Sequence, residues 1–191
     1  MGKTLIQNKK YEKTDFTESA LPVADYEDCI FLNCNFYNGD LSDVSFEKCT
    51  FDGCEFSLAK LKNTVFMDVR FLNCKLLGLH FEDCSEFILT FYFENCMLKL
   101  SSFYKLHMKK TKFVNCNLQE TDFSAADLSG ALFDGCDLHK AIFDLTKLEK
   151  ADFYSSFNYS IDPEKNKLKK ARFSRREVVG LLNQYDLRIE D

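Results

Sequence analysis

A large apolar residue recurs at every fifth position along most of this chain. Two runs, 11–81 and 93–153, together hold Phe, Tyr, Leu or Met at all 28 such positions. The positions are Tyr11, Phe16, Leu21, Tyr26, Phe31, Phe36, Leu41, Phe46, Phe51, Phe56, Leu61, Phe66, Phe71, Leu76, Phe81, Phe93, Leu98, Phe103, Met108, Phe113, Leu118, Phe123, Leu128, Phe133, Leu138, Phe143, Leu148 and Phe153. A period of five fits neither an α-helix nor a β-strand. It predicts a coil in which one residue in five, called here the centre residue, points toward a common axis.

A second period shows how many sides the coil has. Asn-Cys or Gly-Cys pairs recur every 20 residues, with one interval of 22, at Cys34, Cys54, Cys74, Cys96, Cys116 and Cys136. Four steps of five make 20, so we expect a four-sided coil in which these pairs stack. The Asn or Gly before each Cys predicts a corner with positive φ. At about 4.8 Å per coil, seven coils would form a rod of about 34 Å.

The pattern divides the chain into three segments. Residues 1–10 are predicted to form an N-terminal cap, 11–157 an all-β quadrilateral β-helix with a break near 82–92, and 158–191 a connection and a short C-terminal α-helix. Ser174 and Glu177 have the spacing of a capping box, and the apolar residues that follow have helical spacing. So short a helix is not stable alone. We expect it to cover the last coil, a second subunit, or both.

Eight of the nine cysteines lie two residues before a centre residue, and for the ninth, Cys84, that position is Glu86, where the register breaks. In other units the same position holds Ala, Gly, Val, Ser or Thr, so it accepts small side chains. Packing of Cys as a small hydrophobe is therefore favoured over a zinc or redox site, and the chain has no Cys-x-x-Cys motif. The odd number of cysteines also fits reduced thiols.

Features typical of enzymes and of membrane proteins are missing from the sequence. His80, His107 and His139 each flank a centre position and are expected to point outward on separate faces. No nucleophile or phosphate-loop motif occurs, and an interior filled with Phe and Leu leaves no ligand cleft. We predict a non-enzymatic protein without cofactor or metal. No signal peptide or membrane span is expected, which predicts a cytoplasmic location.

The charge of the coil is acidic. Residues 11–157 hold 24 acidic and 14 basic residues, a net of −10, whereas both ends are basic. One interpretation is that acidic groups simply keep a solenoid hydrated. Another compares the rod with B-DNA, which carries one charge per about 1.7 Å of axis, about twice the density of this rod. Such a rod could occupy a basic groove that normally holds DNA, and would itself repel DNA. We therefore predict no direct nucleic-acid binding.

Several segments resemble a known protein family. Ala126–Gly130 (ADLSG), Ala131–Gly135 (ALFDG) and Ala151–Phe153 (ADF) look like the pentapeptide repeat A-(D/N)-L-x-x. The resemblance covers about residues 11–157 and implies a right-handed quadrilateral β-helix. Further segments are similar to the topoisomerase-protecting branch, which includes albicidin-resistance, microcin B immunity and Qnr quinolone-resistance proteins. These segments are Asn158–Pro163, Lys169–Ser174, Val178–Leu182, Phe66–Phe71 and Cys74–Gly78.

The resemblance implies a homodimer, joined by the C-terminal helices, that imitates DNA. In this branch the rod binds DNA gyrase, and in some members topoisomerase IV, and protects it from poisons. Gram-negative Qnr proteins also carry longer loops, in place of which this chain has only a short break.

Site residues follow from this hypothesis. The candidates for contact with gyrase are the acidic residues nearest the tail: Asp122, Asp127, Asp134, Asp137, Asp144, Glu149 and Asp152. The candidates for the dimer interface are Phe173, Val178, Leu181 and Leu182. The alternative function is a general protein-interaction scaffold or regulator with another partner.

Overall fold

Thirteen short parallel strands follow one another in the computed structural model, which describes residues 2–85 and 89–190. They are β1 (Leu5–Gln7), β2 (Lys10–Glu12), β3 (Asp25–Glu27), β4 (Ile30–Leu32), β5 (Ser45–Glu47), β6 (Thr50–Asp52), β7 (Val65–Met67), β8 (Val69–Leu72), β9 (Phe91–Glu94), β10 (Lys112–Val114), β11 (Leu132–Asp134), β12 (Asp152–Phe153) and β13 (Arg172–Phe173). Paired residues lie one coil apart, as Phe31 and Phe51 do. The predicted all-β coil with a 20-residue turn is confirmed.

The coil has four faces, numbered here in chain order. Face 1 carries the sheet of β2, β4, β6 and β8–β13. Faces 2 and 3 are joined by isolated parallel bridges, such as Asn35 with Glu55 on face 2 and Asp40 with Lys60 on face 3. Face 4 carries the sheet of β1, β3, β5 and β7 in its first half and isolated bridges in its second half. Segment 1–10, predicted as a cap, contributes β1 and the first residue of β2 to the coil.

Aromatic rings form a column inside face 1. Neighbouring rings lie 4.6–5.4 Å apart between centroids, with interplanar angles of 3–17°. The column consists of Tyr11, Phe31, Phe51, Phe71, Phe93, Phe113, Phe133, Phe153 and Phe173. Rings from adjacent faces meet these edge-on, as Phe56 meets Phe71 at 83°. Both geometries are favoured for aromatic pairs, so each coil is registered on the next by its rings.

The corners take the left-handed conformation predicted from Asn and Gly. Asn33 has a φ of 51° and Gly53, one coil later, a φ of 65°. A Cβ at Gly53 would lie 2.4 Å from Oδ1 of Asn33, and a Cβ at Gly135 would lie 2.5 Å from Oδ1 of Asn115. Glycine avoids this contact where the Asn side chain of the preceding coil fills the corner, whereas Asn95 occupies the same corner by donating from Nδ2 to Oδ1 of Asn73 at 3.2 Å.

The cysteines occupy a buried position that suits small hydrogen-bond donors. All nine are free and buried. Sγ of Cys49 lies 3.4 Å from the carbonyl oxygen of Tyr26, in the preceding coil. The hydroxyl of Thr64 donates similarly to the carbonyl of Leu41 at 2.8 Å. The predicted packing role is thus the observed one, with a weak S–H donor in place of a hydroxyl.

The two extra residues of the 22-residue interval are accommodated at face 4. Phe71 still pairs with Phe93, so face 1 keeps its register. Phe91 is buried, with its ring 5.6 Å from Phe66 and 5.4 Å from Phe81. The short 3-10 helix Phe81–Asp83 precedes this passage. Residues 86–88, part of the break predicted near 82–92, lie outside the described residues.

The coil continues beyond Phe157, where the sequence pattern indicated its end. Phe173 pairs with Phe153, and Lys167 bridges to Lys147. Tyr159 and Ile161 are buried in the intervening passage and replace the centre residue missing at Asn158. A five-residue count cannot detect this substitution because the replacing side chains are out of step.

The prediction that the C-terminal helix is an α-helix is wrong. Its place is taken by two 3-10 helices, Val178–Leu181 and Asn183–Tyr185. The carbonyl of Gly180 accepts from the N–H of Ile161 at 3.0 Å, and a Cβ at Gly180 would lie 2.2 Å from the carbonyl oxygen of Tyr159. This close docking removes an acceptor from the helical ladder in a segment too short to sustain an α-helix. The capping interaction exists in part, since Ser174 Oγ accepts from the N–H of Glu177 at 3.1 Å.

Removal of one ring from the column tests its contribution to stability. Phe71 is 1% exposed and stacks on a ring from each adjacent coil. We expect Phe71→Ala to lower the free energy of unfolding by about 3–5 kcal/mol in denaturant melts, because it leaves a cavity. The control is Tyr37→Ala, at a residue that is 50% exposed and far from the C-terminal end. A loss below about 1 kcal/mol for Phe71→Ala would contradict the inward packing.

The buried thiols predict a dependence of stability on pH. Burial raises the pKa of Cys49 to about 12, whereas the unfolded chain releases this proton near pH 8.5. The stabilisation is complete below the unfolded pKa and is lost as the pH rises toward the folded pKa. Above pH 9 the difference in unfolding free energy between the unaltered chain and Cys49→Ala is expected to shrink by about 1.4 kcal/mol per pH unit.

Denaturant melts at several pH values between 8 and 11 measure this difference. Alanine is a suitable replacement because Ala131 and Ala151 occupy the same column two residues before a face 1 centre. A difference that stays constant with pH would show that the Cys49 thiol ionises freely in the folded chain.

Candidate functional site

The acidic charge is concentrated in the half of the rod farther from the tail. Residues 11–85 hold 14 acidic and 6 basic residues, a net of −8. Residues 89–157 hold 9 acidic and 8 basic residues, a net of −1. The single net charge used in the sequence analysis for residues 11–157 therefore did not distinguish the two halves. Counting charge for each half separately would have revealed the difference without a structure.

The seven predicted gyrase-facing residues do not form one surface. Asp134 and Asp152 lie on face 1, Asp137 lies on face 2, and the others lie on faces 3 and 4. Face 3 holds Asp122 and Asp144, and face 4 holds Asp127 and Glu149. Three faces of the rod thus carry two of these residues each, and face 2 carries Asp137 alone.

Hydrogen bonds and ion pairs occupy several of these carboxylates. Asp127 is 5% exposed and lies 3.6 Å from Lys109 Nζ and 3.7 Å from Lys147 Nζ. Burial alone would raise the pKa of Asp127, but hydrogen bonds from Ser129 and the two lysines outweigh it and lower that pKa. Asp152 accepts from Arg172 at 2.9 Å. These two groups are already compensated within the chain.

Asp137 is satisfied by neutral donors. Gln119 Nε2 donates to it at 2.6 Å, and Asn158 Nδ2 donates at 2.9 Å. Burial opposes these bonds, yet the net effect is a lowered pKa. The carboxylate is therefore charged and held on the face 2 surface.

The half farther from the tail carries exposed acidic corners that sequence reasoning missed. Asp28, Asp43 and Asp68 are exposed and have φ of 51°, 62° and 54°. Asp25 and Glu27 lie beside Asp28 on face 4. The three side chains are exposed, although Asp43 also accepts from Asn63 Nδ2 at 3.1 Å, so these groups are accessible to a partner.

The predicted interface residues separate into two groups. Phe173 stacks on Phe153 at 5.2 Å, and Leu181 packs against the core, so both cover the last coil. Val178 is 39% exposed and Leu182 is partly buried. The first pair thus packs onto the last coil, whereas the second pair stays at least partly accessible, and the predicted dimer interface remains a prediction.

Exposed apolar side chains are frequent in the last coils and the C-terminal segment, and are called here together the tail patch. They are Ile142 and Leu145 on face 3, Tyr154 on face 1, Phe157 on face 2, and Val178, Val179, Tyr185, Leu187 and Ile189 in the C-terminal segment. A cleft of about 570 Å³ lies between residues 154–158 and 174–177. So many exposed apolar side chains at one end of a rod are typical of an interaction site.

The described residues were compared with the requirements of a metal site and of a membrane-spanning helix. Within residues 2–85 and 89–190, His, Cys, Asp and Glu form no group of three or more suited to a metal ion. The three histidines are exposed on faces 3, 4 and 2, as expected. No helix in the described part of the chain is long and apolar enough to cross a bilayer.

Comparison with known proteins assigns the fold family. The model of the pentapeptide repeat region matches residues 24–92 and 88–173. The chain belongs to the pentapeptide repeat family. This match reaches Phe173, in agreement with the extra coil seen in the structure.

Solved structures of pentapeptide repeat proteins that differ from one another in function are also similar to the chain. Full-length QnrB1, a plasmid-mediated fluoroquinolone resistance protein, is 19% identical with a TM-score of 0.44, over 96% of this chain and 100% of that one. HetL, involved in heterocyst differentiation regulation in the cyanobacterium Nostoc, is 15% identical with a TM-score of 0.36, over 90% and 88%. No curated protein sequence matches the chain. At these identities and scores the similarity selects no function.

Proposed function

We propose that this member of the family is a non-enzymatic DNA mimic that binds DNA gyrase and protects it from topoisomerase poisons. The observation that carries the proposal is the charge of residues 11–85, called here the acidic arm. Its net charge of −8 is spread over four coils, about 19 Å at the spacing of stacked strands, a length in which B-DNA has about 11 charges. The arm therefore approaches the charge density of a duplex on a rigid support.

The length of the rod supports the same proposal. The nine stacked strands of face 1 span about 38 Å at 4.8 Å per coil, a little more than one turn of B-DNA. A dimer joined at the tail patches would double this length and would carry an acidic arm at each end. The tail motifs that resemble the topoisomerase-protecting branch favour this assembly, and topoisomerase IV is a second target.

The roles of individual residues follow from accessibility. Asp28, Asp43 and Asp68 of the acidic arm would make the first contact with a basic groove of gyrase. Asp122, Asp134, Asp137 and Asp144 would contact the enzyme nearer the dimer centre, because Asp127 and Asp152 are compensated internally. Action on gyrase would place the protein in the cytoplasm.

A supercoiling assay tests the proposed target. The purified protein is expected to inhibit gyrase, or to prevent cleavage stabilised by a poison. In the triple variant Asp28→Asn, Asp43→Asn, Asp68→Asn, about tenfold more protein should be needed, because electrostatic steering is lost. Asn tolerates the left-handed corner, so the fold is expected to persist.

A matched triple variant locates the contact. Asp122→Asn, Asp134→Asn, Asp144→Asn removes the same charge from the other half and should have the smaller effect. A larger effect than in the arm variant would move the contact toward the tail. No effect of the unaltered protein on either gyrase or topoisomerase IV would overturn the proposal and favour an interaction scaffold.

Sedimentation equilibrium tests the proposed dimer. The unaltered chain should have twice the monomer mass of 22.2 kDa. The double variant Val178→Asp, Val179→Asp should be monomeric, because an aspartate buried in an apolar interface has no partner for its charge. Val23→Asp, at a 58% exposed position near the opposite end of the rod, is the control and should stay dimeric. A 22.2 kDa species for the unaltered chain would contradict dimerisation.

A further inference from the structure

The sign of the charge on face 4 reverses along the rod. In its first half this face is acidic, with Asp25, Glu27, Asp28 and Asp68. In its second half it carries seven lysines and two acidic residues. These lysines, called here the lysine face, are Lys109, Lys110, Lys147, Lys150, Lys167, Lys169 and Lys170. The whole-rod charge conceals this reversal.

The parallel register places the lysines in aligned columns. Lys110, Lys150 and Lys170 share one left-handed corner, with φ of 61°, 61° and 62°. A Cβ at Gly130, the fourth member of this column, would lie 3.5 Å from Cγ of Lys110, so the lysine stem lies against an otherwise bare corner. From Lys110 to Lys170 the column extends three coils, about 14 Å. On the adjoining edge of face 1, Lys112 adds a further positive charge, whereas Arg172 is paired with Asp152 at 2.9 Å.

Few acidic groups compensate the lysine face. Asp127 pairs with Lys109 and Lys147 from a buried position. Glu149 lies on the same face, where its Oε2 is 3.4 Å from the hydroxyl of Ser129. Among residues 2–85 and 89–190, no carboxylate lies within 4 Å of the ammonium groups of the remaining five lysines. Their mutual repulsion would be relieved by a bound polyanion.

We propose that the lysine face binds the phosphate backbone of duplex DNA. Point charges on flexible stems suit phosphates, which need no directional recognition. An acidic protein surface fits less well. Protein interfaces are depleted in Lys and depend on buried aromatic or Arg anchors. The outward positions of the lysine face hold Lys, His, Asp, Glu, Ser and Gly, without a large apolar side chain.

The proposal revises the expectation that the rod repels nucleic acid. That expectation rested on the net charge of the coil, whereas binding depends on the local surface that meets the phosphates. In the same coils Asp137 lies on face 2 and Asp144 on face 3, so the acidic groups point away from the lysine face. In this half of the rod, the lysine face and the acidic groups of faces 2 and 3 therefore lie on different sides. DNA binding does not rest on the proposed action on gyrase.

Fluorescence anisotropy with a labelled 20-base-pair duplex, at 25–200 mM salt, tests the proposal. Three to four neutralised phosphates would give a plot of log affinity against log salt with a slope of about −3. Lys110→Gln, Lys150→Gln, Lys170→Gln should weaken binding at least about tenfold and reduce the slope by about 0.9 for each lost contact. The sequence of the duplex should not matter, because only phosphates are contacted.

The control triple variant Lys60→Gln, Lys75→Gln, Lys140→Gln removes the same charge from faces 2 and 3. Its affinity should change less than about twofold, and denaturant melts check that both variants fold. Equal weakening by the two triple variants would show a general charge effect and overturn the proposal. So would no binding at 25 mM salt. Tighter binding of polyglutamate than of the duplex would instead assign the lysine face to an acidic protein.

Discussion

Stacking of rings between successive coils is the interaction on which the rest of this structure depends. A ring in the face 1 column has its partner one turn along the chain, so side-chain stacking and the backbone ladder impose the same register. A shift in one would break the other. This explains why the two extra residues between Phe81 and Phe93 are accommodated at face 4. There the regular strands end at β7, whereas on face 1 Phe71 still stacks on Phe93 at 5.4 Å.

The features that could be predicted from the sequence are those that repeat. The centre residues, the four sides, the left-handed corners and the buried cysteines each recur many times. Such repeated agreement with one pattern does not arise by chance. The features that were missed occur once. Tyr159 and Ile161 replace a centre residue from positions out of step, and Gly180 docks on a carbonyl that only the folded chain brings near. Non-local contacts of this kind leave no periodic signal.

The candidate site was less predictable than the fold because different positions of each repeat determine the two. Inward positions determine the fold, and outward positions are free to vary without affecting it. Charge along the chain is therefore a poor guide to charge on a surface. Residues 20 apart in sequence are neighbours, as Asp127 and Lys147 are, whereas Asp122 and Asp127 lie on different faces. Once the four-sided register is known, sorting the sequence by face predicts the lysine face, whereas the acidic arm follows from a count of charge in each half of the rod.

Apart from the passage between Phe81 and Phe93, departures from the repeat concentrate at the tail, and this supports the proposed function there. The end of a solenoid must be covered, and Phe173 and Leu181 cover it. The covering is imperfect. The hydroxyl of Tyr159 is buried without a hydrogen-bond partner among the described residues, and the surrounding apolar side chains are exposed. Burial raises the pKa of Tyr159 to about 12, so the group stays neutral rather than acting as a buried charge. An irregular, incompletely covered end of this kind is consistent with the proposed dimer contact at the tail.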